Sequence, residues 1–267
     1  MLKSNFIVVL LSVFSLSCSQ TQKLAAPLTP ITVLSYNIHH ANPPSQSKDI
    51  IDLDTIIATI KASNAELVAI QELDSMTARS NRVYQLKVLA EKLGMHYHFE
   101  RTIPYEGGAY GIGILSKYPI EKATGYQLPA ISGIPTEPRK LLVARIIINQ
   151  LPVYFGCTHI DFKNSDVKKR QAQEVVKVLG PLKKQRLIIG GDFNAVPEEE
   201  SIQYLLQHYN NAGSMNAYTI PVEQPKKKID YIFYQPKRLS FIQDSVFRAH
   251  NYGSDHLPVM ARFTVLK

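Results

Sequence analysis

The stretch Arg186–Ser201, RLIIGGDFNAVPEEES, holds the end of a strand, a loop and the beginning of a helix. Leu187–Ile189 is a short apolar run, which is typical of a strand buried on both faces. Pro197 and the glutamates after it suit a first helical turn. Asp192 and Asn194 lie between these elements, where the apolar strand ends. Two interpretations are open: turn or capping residues, or functional side chains at the end of a core strand.

The chain as a whole has the composition of a globular protein. Of its 267 residues, 45% are hydrophobic and 19% are charged, so it can bury one large core or two small ones. No stretch reaches the roughly 18 apolar residues of a membrane span. The formal net charge is +8, with basic clusters at 168–170, 183–186 and 226–228. These clusters either favour an anionic substrate or are solvated surface, and both interpretations remain open.

Residues 1–17 have the features of a secretory signal peptide, because a short basic segment precedes the apolar run Phe6–Phe14. Cys18 follows small residues, as does the lipidated cysteine of a bacterial lipobox, although Ser15 stands where that motif usually has Leu. Residues 18–30 would then be a lipid-bearing tether. We expect an exported protein of the bacterial cell envelope, anchored through Cys18. The alternative is a soluble periplasmic or secreted protein.

The remaining sequence predicts alternating strands and helices in one domain, residues 31–267. The predicted elements up to residue 94 are a strand at 31–38, a helix at 53–62, a strand at 67–70, and a helix capped by Asn81 and closed by Gly94. Residues 96–159 are predicted to be mainly β-structure, with a hairpin at 148–152. The later elements are a helix at 165–179, the strand at 187–189, a helix at 197–208, and three terminal strands. Mixed sheets with helices outside give an α/β sandwich.

Polar side chains recur at the ends of these predicted strands. Asn37 and Glu72 end the first two strands, His159 ends a later one, Asp230 begins another, and Asp255–His256 precedes the last. Each of them alone is well explained as a turn residue, a solvated charge or a buried histidine. Repeated turn chemistry is a poor explanation for all of them together, so we interpret them as one functional constellation.

The motifs in this order resemble the endonuclease/exonuclease/phosphatase superfamily, across residues 31 to 265. The matching motifs are SYN (35–37), QE (71–72), ILSKYPI (114–120), TH (158–159), GDFN (191–194), IDYIF (229–233) and SDHLPV (254–259). That superfamily includes DNase I-like nucleases, abasic-site endonucleases, neutral sphingomyelinases and inositol polyphosphate 5-phosphatases. The resemblance implies a four-layer α/β sandwich, in which two mixed β-sheets pack face to face with helices outside.

The resemblance also implies metal-assisted attack of water on a phosphodiester or phosphomonoester. Mg²⁺ is a hard cation that takes oxygen ligands and neutralises phosphoryl charge. Glu72 is implied as the principal ligand of Mg²⁺, with Mn²⁺ as the alternative ion, and Asn37 and Asp255 stand near it as ligands or through water. Asp192 would orient and deprotonate the attacking water. Asn194 would hold a phosphoryl oxygen or that same water.

Two histidines are implied as donors to the non-bridging oxygens, where negative charge builds in the transition state. The resemblance suggests that Asp255 orients His256 and that Asp230 pairs with His159. Arg139 is a further candidate, either as a bidentate phosphate ligand or as an exposed loop arginine.

One departure from the family pattern narrows the function. His39 follows Asn37 by two places, where abasic-site endonucleases typically carry an acidic residue. This difference argues against DNA repair, as does export. The chain resembles instead a set of bacterial metal-dependent hydrolases that begin SYNIHH. His39 or His40 then contacts phosphate or has a structural role.

We therefore predict an exported, monomeric, Mg²⁺-dependent phosphoesterase acting on a small-molecule phosphoester, a lipid headgroup or a nucleic acid. The first alternative is a secreted nuclease of the DNase or RNase type. The sequence argues against it, because it has no run of interleaved aromatic and basic residues that would form a nucleic-acid platform. The second is a non-catalytic surface-binding domain that retains the fold. It is disfavoured because all the expected catalytic positions are filled.

Overall fold

The computed structural model describes residues 30–266. Within this range the elements are β1 (Pro30–Asn37), α1 (Leu53–Ser63), β2 (Leu67–Ser75), α2 (Gln85–Leu93), β3 (His96–Tyr105), β4 (Gly108–Ser116), β5 (Ile120–Gln127), β6 (Lys140–Ile148), β7 (Leu151–His159), α3 (Ser165–Leu179), β8 (Arg186–Asp192), α4 (Glu200–Leu206), β9 (Asn210–Asn211), β10 (Asp230–Tyr234), β11 (Leu239–Val246) and β12 (Val259–Val265). The predicted signal peptide and nearly all of the predicted tether lie outside the described residues. Among the described helices, none is long and apolar enough to cross a membrane.

The described strands form two six-stranded mixed sheets, as predicted. The first has the order β11-β12-β1-β2-β4-β3 and the second the order β5-β6-β7-β8-β10-β9. In each sheet the central pair is parallel, β1 with β2 and β7 with β8, and a helix connects the two strands of each pair. Parallel strands need such a crossover, and the helix covers one face of its sheet.

Apolar side chains alternate along the central strands and divide the core of the described domain into three layers. On β1, Val33 packs between the two sheets, whereas Leu34 packs against α1 and α2. On β8, Ile188 packs between the sheets, whereas Leu187 and Ile189 pack against α3 and α4. Because successive side chains of a strand point to opposite faces, this pattern gives helix, sheet, sheet and helix in order. The four-layer sandwich is confirmed.

The two sheets approach each other closely just below the carboxyl ends of the central strands. A Cβ atom on Gly190 of β8 would lie 2.9 Å from Cβ of Ala69 on β2 and 3.1 Å from Cβ of Ser35 on β1. Small residues on all three strands therefore let the strand ends of both sheets meet. The polar residues that follow these strands are brought together for the same reason.

Two of the predicted helices have different boundaries in the structure. Asn81 does not cap α2, because Asn81 and Arg82 both have positive φ values in a turn and the helix begins at Gln85. Gly94 ends α2 in the left-handed conformation, as predicted. The helix predicted at 197–208 is shorter, Glu200–Leu206, because Glu199 is still extended and its carboxylate accepts from a preceding backbone N–H.

Two other predictions concern the β-structure. The predicted hairpin is confirmed, because Ile148 pairs with Leu151 across a two-residue turn with positive φ at Asn149 and Gln150. After α4 the described chain contains four strands rather than three, since the two-residue strand β9 pairs with β10. A two-residue strand carries no sequence pattern by which it could be predicted.

Candidate active site

Glu72 is presented by a bulge inside β2, not by the end of a short strand. The strand runs to Ser75, and its pairing with β4 shifts register between Ile70 and Leu73. Glu72 has a φ of 58° within this irregularity, a conformation that is costly for a residue with a side chain. Bulges of this kind change the direction of a side chain beside active sites. Here the bulge directs the carboxylate toward Asn37 of the neighbouring strand.

Asn37, the last residue of β1, joins the two principal carboxylates. Its Nδ2 donates to Oε1 of Glu72 at 3.0 Å and to Oδ2 of Asp192 at 2.9 Å. Its Oδ1 accepts from the backbone N–H of His39 at 3.0 Å, which fixes the orientation of the amide. Asn37 therefore holds the carboxylates through its amino group, and its role as a metal ligand stays a prediction.

Asp192, the last residue of β8, lies at the centre of the constellation. Its Oδ1 accepts from the backbone N–H of Asn194 at 2.8 Å, and its Oδ2 lies 3.5 Å from Nε2 of His159. Nε2 of His256 lies 3.9 Å from the same Oδ2 atom. Asn194 adopts a left-handed φ of 46°, and its Nδ2 donates to the backbone carbonyl of Ile160 at 3.0 Å. The role of Asn194 toward a phosphoryl oxygen stays a prediction.

The predicted histidine–aspartate pairs are wrong. Nδ1 of His256 is 2.9 Å from Oδ2 of Asp230, so Asp230 orients His256. Asp255 is the half-exposed neighbour of His256, with Oδ1 3.9 Å from Nε2. The reason is the strand register: His159, Asp192 and Asp230 occupy one row across β7, β8 and β10. Asp192 therefore stands between His159 and Asp230.

His159 contacts Arg139 instead. NH1 of Arg139 lies 3.0 Å from Nδ1 of His159 and 3.2 Å from a carboxylate oxygen of Glu137. Arg139 is only 3% exposed, so its interpretation as an exposed loop arginine is wrong. Its buried Nε atom has no hydrogen-bond partner among the described residues, and phosphate binding by Arg139 stays a prediction.

Burial controls the electrostatics of this row. Burial and then the charge of Asp230 raise the pKa of Asp192, while His256 opposes the shift. Burial by itself would lower the pKa of His256, but the carboxylates of Asp230, Asp192 and Asp255 raise it to about 10. Burial, Arg139 and His256 hold the pKa of His159 well below its usual value. The site thus combines a cationic imidazole with a carboxylate whose pKa is shifted toward the range of a general base.

A cleft of about 200 Å³ opens beside Glu72. Its lining residues are His39, His40, Glu72, Arg79, Ile103, Tyr105, Tyr110 and Glu137. The sequence reasoning missed Arg79, which makes hydrogen bonds of 2.7 and 2.8 Å to Asp74 and lies over the ring of Tyr105 at 4.5 Å. Arg79 follows no apolar strand directly, so the strand-end pattern that identified the other residues gives no signal for it.

The donor set fits a divalent cation. Three overlapping groups of ligand atoms each lie within 4.8 Å of one another, namely His39–His40–Glu72, Glu72–His159–Asp192 and Asp192–Asp230–His256. Asp230 also has a buried Oδ1 without a hydrogen-bond partner among the described residues. Carboxylate oxygens concentrated in a buried site are stabilised by a bound cation. Glu72 is shared by the first two groups and Asp192 by the last two, and the role of Glu72 as the principal ligand stays a prediction.

The two packed mixed sheets and the polar row at their strand ends define the class of DNase I-like α/β sandwich hydrolases. Residues 34–256 match the model of the endonuclease/exonuclease/phosphatase family, and the chain belongs to this family. Members of the family are hydrolases that act on phosphoesters and typically depend on a divalent metal.

Known proteins are similar to this chain at low sequence identity. The protein YbhP of Escherichia coli K12 is 23% identical over 247 residues, which are 86% of this chain and 94% of YbhP. A family member from Bacteroides thetaiotaomicron has a TM-score of 0.73 at 18% identity, covering 90% of this chain and 99% of its own. A mannosyl-6-phosphatase from Bacteroides thetaiotaomicron VPI-5482 has a TM-score of 0.69 at 19% identity, covering 88% and 99%.

The corrected histidine pairing generates a prediction. Asp230→Asn removes the charge that contacts Nδ1 of His256, so the pKa of His256 should fall from about 10 toward the ordinary value near 6.5. Asp255→Asn should cause a much smaller fall, because Asp255 is half-exposed and more distant. Titration of the imidazole resonances by NMR measures both shifts, with the exposed His96 as internal control. Equal shifts in the two variants would contradict the assignment of Asp230.

Proposed function

We propose that this protein is a divalent-metal-dependent phosphoesterase that hydrolyses a small phosphoester by attack of water at phosphorus. The observation that carries the proposal is the hydrogen-bonded junction at Asn37, which holds Glu72 and Asp192 together, with the imidazole Nε2 of His256 3.9 Å from Oδ2 of Asp192. A metal-binding carboxylate, a candidate base and a cationic donor thus surround one point. That combination matches the chemical requirements of phosphoester hydrolysis.

The residues of the site serve two functions, proton transfer and charge stabilisation. Asp192 accepts the proton of the attacking water, which its raised pKa favours. His256 keeps its proton because Asp230 accepts the hydrogen bond from Nδ1, and Nε2–H is then free to donate to a phosphoryl oxygen. A divalent ion at Glu72, when bound, neutralises charge on the phosphoryl group. His159 stays neutral beside Arg139 and donates to a second oxygen.

The cleft favours a small substrate over a nucleic acid. Its volume of about 200 Å³ is below the usual range for drug-sized ligands, and it suits one headgroup or sugar phosphate. The basic clusters at 168–170 and 226–228 each contain a lysine that is hydrogen-bonded within the protein or buried. Lys168 donates to Glu199 and to the Asn194 carbonyl at 2.9 and 2.6 Å, and Lys228 is only 1% exposed. These lysines are poorly placed to follow a nucleic-acid backbone, so a nuclease is the weaker proposal.

The metal dependence can be tested directly. A panel of phospholipids, inositol phosphates, sugar phosphates and nucleic acids should reveal turnover with Mg²⁺ or Mn²⁺ and none with excess chelator. Glu72→Gln should raise the metal concentration needed for half-maximal activity by roughly 10-fold or more, because it removes the charged ligand. Glu91→Gln on the surface of α2 is the control. Full activity in excess chelator, on any substrate, would refute the proposal.

We further propose that the protein is exported and anchored in the bacterial cell envelope through a lipid on Cys18. The support is the order of basic, apolar and small residues before Cys18, which precedes the folded domain by a short segment that contains Pro27. This placement would present the cleft to substrates at or near a membrane surface.

The anchor predicts a change in fractionation. Cys18→Ser should move the protein from the membrane fraction to the soluble fraction, because the apolar segment before it is too short to remain as a span. Immunoblots of both fractions measure this, with Cys157→Ser as the control because that thiol is buried in β7. Membrane retention of Cys18→Ser at the wild-type level would show that Cys18 is not the anchor.

A further inference from the structure

We infer that His39 and His40 complete the coordination of the cation held by Glu72, which makes this a mixed imidazole–carboxylate site that prefers Mn²⁺, Co²⁺ or Zn²⁺ to Mg²⁺. The inference deepens the proposed function and rests on it in taking Glu72 as the metal ligand. It departs from the Mg²⁺ preference that oxygen ligands alone would give.

The three side chains converge on one wall of the cleft. One ring nitrogen of each histidine and one carboxylate oxygen of Glu72 lie within 4.8 Å of one another, and all three residues line the cleft. Ligands bound at about 2.1 Å to one ion are separated by roughly 3.0 to 4.2 Å, so small side-chain movements suffice. The two rings meet edge to face, with centroids 4.6 Å apart, and neither ring stacks over the other.

His40 provides the independent observation that points to a ligand. The residue is only 8% exposed, and its Nδ1 atom is buried without a hydrogen-bond partner among residues 30–266. A buried polar atom without a partner is costly, and native structures normally satisfy such atoms. A metal ion in the cleft would satisfy the imidazole of His40, since neutral imidazole is a common metal ligand.

His39 has the hydrogen bond expected of a metal-binding histidine. Its Nδ1 lies 3.0 Å from the backbone carbonyl of Asn42, which only accepts, so Nδ1 carries the hydrogen. In the neutral ring the lone pair is then on Nε2. Metal-binding histidines usually donate their other ring N–H to a carbonyl or carboxylate in this way, which fixes the ring and its tautomer.

The segment that carries the imidazoles is held in an unusual conformation. His39, His40 and Ala41 have φ values of 46°, 42° and 61°. Asn37 accepts from the N–H of His39 at 3.0 Å, and Gln85 donates to the carbonyl of His40 at 2.6 Å. The segment is therefore preorganised before any ion arrives, which favours tight binding.

The charges of the cleft also favour a cation at this point. Arg79 is matched by Asp74 through two hydrogen bonds, and Glu137 is paired with Arg139 at 3.2 Å. Among residues 30–266, the hydrogen-bond partner of the Glu72 carboxylate is the neutral amide of Asn37, so its charge remains for a cation. Imidazole ligands shift the preference of such a site toward Mn²⁺, Co²⁺ and Zn²⁺, whereas Mg²⁺ prefers oxygen.

Metal binding to the metal-free full-length protein tests the inference without a substrate. Calorimetric titration with MgCl₂, MnCl₂ and CoCl₂ should give affinities for Co²⁺ and Mn²⁺ at least about 10-fold above that for Mg²⁺. His39→Asn and His40→Asn should each weaken Co²⁺ binding by roughly 10-fold or more and Mg²⁺ binding by less than about threefold. Asn is chosen because it tolerates the left-handed backbone at both positions.

The visible absorption of bound Co²⁺ provides a second readout, because loss of a nitrogen ligand changes its intensity and position. His96→Asn is the matched control, since His96 is exposed at the opposite end of β3 from Tyr105. If His40→Asn does not fold, the metal affinities of the wild-type protein and of His39→Asn still test the inference.

The outcomes separate the inference from the proposed function. Equal wild-type affinities for Mg²⁺ and Co²⁺, or unchanged Co²⁺ binding in both histidine variants, would overturn the inference. If the variants instead raise KM with metal affinity unchanged, the histidines bind phosphate and the inference is again overturned. Histidine-dependent Co²⁺ binding without turnover of any phosphoester would refute the proposed function and leave the metal site standing.

Discussion

The structure of this site depends on the burial of two carboxylates, Asp192 and Asp230, on neighbouring strands. Each is only 1% exposed, and the two residues are directly paired in the register of β8 and β10. Two charged carboxylates on neighbouring buried strands repel each other, and burial disfavours the charged form of each. The imidazole of His256 compensates, with Nδ1 2.9 Å from Asp230 and Nε2 3.9 Å from Asp192. The proposed catalytic function rests on the same balance, because it gives one carboxylate a raised pKa and one imidazole a stable proton.

The arrangement of the two sheets brings the residues of this cluster together. Each contains one central parallel pair, and the carboxyl ends of all four parallel strands point to the same region. Those ends supply Asn37 on β1, the bulge with Glu72 on β2, His159 on β7 and Asp192 on β8. The small residues under these ends let the sheets approach closely enough for Asn37 to bridge Glu72 and Asp192.

The sequence predicted the positions of the polar residues much better than their partners. Asp192 and His159 each follow an apolar run, and that local pattern is sufficient to place them at strand ends. The pairing of His256 with Asp230 rather than Asp255 depends on the register of β10 against β8, which no local pattern records. The φ of Glu72 and the site of Arg79 likewise depend on tertiary contacts with β4 and with Tyr105. The missed start of α2 at Gln85 has the same cause, since a bridge between Ser75 and Tyr84 fixes the preceding turn.

The central claim is that Asp192 and His256 act together on one phosphorus atom, and a double-mutant cycle on kcat tests it most directly. Asp192→Asn and His256→Ala should each lower kcat by roughly 10²-fold or more, with KM changed much less. The double variant should lose less than the product of the two single losses, because both residues serve the same step. Melting curves on the same preparations exclude unfolding as the cause. A well-folded Asp192→Asn protein with near-normal kcat would contradict the account.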